Sequence, residues 1–80
     1  MKNYVKVAAT FEADGTIMPR AIYWEDGRRF AVDRVKDIRR AASLRSGGAG
    51  IRYVVMICGH ERWLYLEESR WFIEPPGDGA

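Results

Sequence analysis

Eighty residues, 48% hydrophobic and 30% charged, make one small globular domain and leave no room for a second. A single cysteine excludes an intramolecular disulfide and fits a reducing cytoplasm, the expected location; no stretch is apolar enough to span a membrane and no leader-like apolar run opens the chain. The net charge of +2 is spread unevenly, with eight cations and two anions in residues 28–52 against two cations and five anions in residues 53–80.

In chain order, Tyr4 to Phe11 alternates, with Val5, Val7, Ala9 and Phe11 on one side, which predicts a strand with one apolar face. Asp14-Gly15 is a strong hairpin signal. A two-residue loop there would pair Phe11 with Met18, Val7 with Ile22 and Val5 with Trp24, and put all six on one face. Pro19 lacks an N–H, so the second strand is expected to be an edge or to bulge at that point. Glu25-Asp26-Gly27 forms the next turn. Only a three-residue loop, with Gly27 in the left-handed region, keeps Phe30 and Val32 on the Ile22/Trp24 face. The third strand then begins at Arg28 or Arg29.

Residues 33–46 admit two readings. Val32, Val35, Ile38 and Ala41/Ala42 recur at helical spacing, and Gly47-Gly48 would end a helix. Asp33, however, has no Glu or Gln three residues on to complete a capping box. A bent strand can instead run through Ile38 toward Arg40 and meet Ile51–Cys58 across the glycine-rich loop. We adopt the strand, with a helix at Asp33–Leu44 as the alternative.

From Gly50 to Glu74 three apolar runs, separated by two polar breaks, predict an antiparallel meander. With Gly59-His60 as one loop, Val55 faces Leu64 and Tyr53 faces Leu66. With Glu68-Ser69 as the next, Leu66 faces Trp71 and Leu64 faces Ile73. Ile51, Tyr53, Val55, Ile57, Leu64, Leu66, Trp71 and Ile73 then share one face. Val54, Met56, Trp63, Tyr65 and Phe72 share the other. Both are apolar, yet a small barrel has one inside. The fold expected is mainly β: a small antiparallel, five- or six-stranded, SH3-like or open barrel over residues 1–74. The tail, residues 75–80, has no apolar anchor and is expected to be disordered.

Cys58-Gly59-His60 puts a thiol and an imidazole near one turn. With one Cys and one His in the chain, neither a zinc site nor an oriented nucleophile pair can be assembled from such residues alone, and a structural turn is the simpler reading. Ser46-Gly47-Gly48-Ala49-Gly50 lacks the Gly-Lys-Ser/Thr of a phosphate loop and reads as a flexible hairpin loop. No acid–base pair stands at a defined spacing, so no enzyme, metal or cofactor is expected. Two surfaces remain. Met56, Trp63, Tyr65 and Phe72 are candidates for protein contact or homodimerisation, unless another part of the chain covers them. Arg28, Arg29, Arg34, Lys36, Arg39, Arg40, Arg45 and Arg52 are candidates for nucleic-acid phosphates, unless they pair with the acidic C-terminal third.

The run Trp24-x-Asp26-Gly27-Arg28-x-Phe30-x-Val32-Asp33-Arg34-Val35-x-Asp37-x-Arg39, with Gly50-x-Arg52-Tyr53 and Trp71-Phe72-x-Glu74, resembles a family of short uncharacterised bacterial proteins common in Firmicutes. More loosely it is similar to a small all-β domain found with proteins related to translesion DNA polymerases. The resemblance implies a small β-barrel-like fold and a strand at Arg34–Arg40, supplies no catalytic residues, and lends slight weight to nucleic acid.

Overall fold

The structure, a computed structural model, describes residues 3–40 and 50–75. Every regular element among them is a strand: β1 (Tyr4–Phe11), β2 (Ile17–Tyr23), β3 (Arg29–Ala31), β4 (Arg34–Arg40), β5 (Ile51–Ile57), β6 (His60–Glu67) and β7 (Arg70–Glu74). All pairings are antiparallel, in the order β3-β2-β1-β7-β6-β5-β4. The sheet curls into an open barrel. Residues 34–40 are strand and not helix; residues 41–49, including Arg45 and most of the glycine-rich loop, lie outside the described residues, as do residues 76–80.

Two corners produce the curl. The start of β1 pairs with β7 at Tyr4 and Val5, and from Lys6 onward it pairs with β2. The second corner is Val32-Asp33, the whole connection between β3 and β4. The Val32 N–H donates to Arg20 O and the Asp33 N–H to Met56 O, both at 2.8 Å, so adjacent amides bind opposite halves of the sheet. The long third strand expected from the sequence is therefore two strands, seven in all. Strands that switch sheets in this way make the corners of packed β structures.

The inner face carries the core: Ile22, Tyr53, Val55, Ile57, Leu64, Leu66 and Trp71, with Val5, Val7 and Phe30 among those packed against it. The face predicted for the meander is the face observed. The Tyr53 phenol is buried, donates to Ile17 O at 2.5 Å, and ties β5 to β2 across the interior. Burial pushes its pKa above the ordinary value of 10, so it stays a donor near neutral pH.

Turn chemistry sets the registers. Both Asp-Gly turns are three-residue loops closed by a Gly with positive φ, 93° at Gly15 and 90° at Gly27. In each, the Asp carboxylate accepts the N–H two residues on: Thr16 for Asp14 and Arg28 for Asp26. Those backbone bonds hold both carboxyls below the ordinary 3.8. The loop expected at Gly27 is the loop observed. The one at Asp14-Gly15 is longer than expected, and a bulge at Arg20 absorbs the extra residue. Phe11 therefore faces Ile17 rather than Met18, while Val7 still faces Ile22. The bulge sits next to Pro19, whose missing N–H had marked the place. The β5–β6 loop is Cys58-Gly59, not Gly59-His60, with both φ values positive as a type I′ turn demands. That slides the pairing by two residues, to Tyr53↔Leu64 and Val55↔Arg62, and leaves every side chain on its expected face. Leu66↔Trp71 and Leu64↔Ile73 stand as expected.

Candidate functional site

The outer face of the β4–β5–β6–β7–β1 sheet holds the aromatic residues singled out above. One cross-strand row reads Arg39, Arg52, Tyr65, Phe72, Tyr4. The next reads Asp37, Val54, Trp63, Glu74. Tyr65 and Phe72 stack with centroids 4.9 Å apart and an interplanar angle of 3°, and Tyr4 meets Phe72 edge-on at 5.9 Å. Both stacked rings are buried, so the outer face has a small core of its own. Met56, Trp63 and Val54 stay half-buried beside it, and Tyr4 is 40% exposed. The four predicted contact residues thus divide into a sealed pair and an accessible pair.

Arginine caps this face. The Arg52 guanidinium carbon lies 4.3 Å from the Trp63 ring centroid, and that of Arg70 lies 3.6 Å from the Tyr4 centroid. Such stacking is worth about 0.5–1 kcal/mol at exposed sites. Arg39 stands directly opposite Arg52, and the Asp37 carboxylate, accepting from Arg39 Nε at 2.8 Å, offsets the like-charge contact.

The basic cluster is drawn out along strands rather than gathered. Arg34, Lys36, Arg39 and Arg40 lie exposed on β4, Arg52 is half-buried on β5, and Arg28 and Arg29 are exposed at the start of β3. Arg28 pairs with Asp26 at 2.6 Å, Lys36 with Glu61 at 2.9 Å and Arg39 with Asp37 at 2.8 Å. Asp26 and Asp37 are local partners, two residues away, whereas Glu61 belongs to the acidic C-terminal third. The Lys36 bond holds the Glu61 carboxyl below its ordinary 4.5. β4 is a sheet edge, and charges and a bulge on an edge discourage a foreign strand. The bulge is at Lys36.

A third feature was not singled out in the sequence. At one mouth of the barrel a cavity of ≈ 350 Å³ opens between the β2–β3 and β5–β6 hairpins. Its floor is Ile22, Trp24, Phe30, Ile57 and Ile73. Arg28, Cys58, His60 and Arg62 form the rim. A larger hollow of ≈ 550 Å³, lined by Tyr4, Val5, Tyr23 and Trp24, is more polar and includes Lys6 and Glu25. Arg62 was legible by parity, since it precedes Leu64 and Leu66 on the core face. Cys58 is exposed, its amide donates to Asp33 Oδ2 at 3.0 Å, and among the described residues no three His, Cys, Asp or Glu side chains gather as metal ligands would. Comparison with protein-family models, with curated proteins and with solved structures finds no match for this chain.

Proposed function

We propose that the chain is a non-enzymatic interaction module and that a second copy of it docks on the outer face at Val54, Met56 and Trp63. The observation that supports this is a half-exposed apolar trio on a face the barrel's core cannot cover. Val54 and Trp63 are direct cross-strand partners, with Met56 two residues along β5. Arg34, Arg39, Asp37 and Glu61 surround the trio with both signs of charge. A patch that carries both signs of charge can complement a second copy of itself across a two-fold axis. Trp and Arg are also the residue types that carry interface energy.

Sedimentation equilibrium tests it. The mass is expected to rise from 9.2 kDa toward a dimer between micromolar and millimolar concentration, and Trp63→Ala to hold it at 9.2 kDa. A wild-type chain at 9.2 kDa throughout rejects self-contact.

The exposed cations Arg34, Arg39 and Arg40 on β4, with Arg52 on the neighbouring strand, support a second reading, nucleic-acid binding, because guanidinium forks along one edge can meet successive phosphates. If Arg34, Arg39, Arg40 and Arg52 each neutralise one phosphate of duplex DNA, log affinity falls with log salt at a slope of about −3.6. Arg39→Ala with Arg40→Ala should shallow that slope by about two. No binding at tens of micromolar DNA and low salt, on the order of non-specific affinities, removes this reading.

A further inference from the structure

The strands' inward positions stay apolar along the barrel and turn cationic at one mouth. Ile22 faces Phe30, and at the next inward position Trp24 is joined to Arg28 by the hydrogen bond that closes their turn. Across the mouth, Ile57 faces His60 and Val55 faces Arg62. Three basic side chains thus crown a floor of two aromatic rings and three isoleucines. No carboxylate lines the cavity among the described residues.

The three cations are not equivalent. Arg28 is already engaged, with Nε 2.6 Å from Asp26 and its guanidinium carbon 5.4 Å from the Phe30 ring centroid. Arg62 is half-buried, and its Nη1 donates to the Glu61 carbonyl at 2.8 Å. Among the described residues it joins no ion pair. A guanidinium turned inward beside apolar side chains, with Nη1 on a backbone carbonyl, retains donors for a ligand. His60, next to it in parity, supplies a ring nitrogen.

We propose that this mouth binds an apolar acid: a ring or short alkyl group seated on Trp24, Phe30 and Ile22, with its carboxylate on Arg62 and His60. The volume lies at the small end of ligand pockets and suits a body about the size of one aromatic side chain. Arg presents a planar fork that meets a carboxylate with two parallel bonds. Two sources share this chemistry: a free small acid, and the C-terminal carboxylate of a peptide ending in an apolar residue. This site lies inside the barrel mouth and does not depend on contact at the outer face.

The test is a ¹H–¹⁵N chemical-shift titration of the full chain with 3-phenylpropionate, with 3-phenylpropionamide, and with an acetylated tripeptide ending in Phe, free or amidated at its C-terminus. The expected result is a shift of the Trp24 indole N–H and the Arg62 side-chain N–H, saturating near about 1 mM or below for at least one acid. Replacing that carboxylate by carboxamide should weaken binding about tenfold or more, as should Arg62→Gln. Saturation by the free acid assigns a small-molecule site; saturation by the peptide alone assigns a C-terminus. Absence of localised shifts at about 10 mM overturns the proposal. So does equal affinity for acid and amide on the wild-type chain, a comparison that needs no variant to fold.

Discussion

Gly50 shows how a single missing atom permits a close approach of two strands. A Cβ at this position would lie 2.5 Å from the Leu66 carbonyl oxygen and 3.4 Å from the Glu67 Cα, so β5 and β6 approach as closely as they do only because no side chain intervenes. The obstacle is backbone, which cannot rotate aside. Gly50→Ala should therefore cost about 1–3 kcal/mol, the usual range for overpacking, read as a lower midpoint in urea denaturation. Its sequence neighbours in the glycine-rich run had suggested flexibility, yet this glycine answers to close approach. Nothing in composition separates the two uses. Cys58 and Glu68, at φ of 53° and 57°, were equally hidden, because neither is a residue type that announces a left-handed turn. Arg62 was the opposite case. Its parity with Leu64 and Leu66 was plain, but a cation on a core face acquires meaning only once the barrel mouth is seen.

At the scale of the element, the ambiguous segment has a physical explanation. Val32, Val35 and Ile38 are three residues apart because two irregularities each add one residue to a strand. The first is the corner at Val32-Asp33 and the second is the bulge at Lys36, after which Asp37 faces Val54 and Ile38 faces Tyr53. Period two with insertions imitates period 3.6. The meander had no such insertions, so its faces were readable even where the turn was misplaced by one residue. A slide of two residues preserves parity, and parity is what the hydrophobic pattern encodes. The same reasoning separates the tryptophans. Trp71 faces inward against Tyr53, with centroids 5.3 Å apart, whereas Trp63 faces outward. Trp71→Ala should cost about 3–5 kcal/mol, close to the whole stability of so small a domain. Trp63→Ala should cost clearly less when measured on dilute monomer. Equal losses in chemical denaturation would contradict the assignment of faces.

At the scale of the molecule, a curled sheet with a principal extent of only 31 Å holds one interior, and its two edge strands are consecutive in sequence. The barrel-like class was legible from strand count and turn signals. The corner was not, since it depends on two adjacent amides reaching Arg20 and Met56, residues far apart in the chain. The basic field in the middle of the sequence was legible as charge but not as arrangement. It is laid along an edge strand and partly spent in local pairs with Asp26 and Asp37 and in a longer-range pair with Glu61. What the fold leaves over is an outer face with a sealed centre, Tyr65 and Phe72, and an apolar border at Val54, Met56 and Trp63. The most direct test of that border as the contact surface is a comparison of backbone and indole ¹H–¹⁵N spectra of the unliganded chain at low and high protein concentration. The account predicts concentration-dependent shifts confined to Val54, Met56, Trp63 and their flanks Arg34, Arg39 and Glu61. Spectra that superimpose at all concentrations, or shifts gathered on β2 and β3 instead, would contradict it.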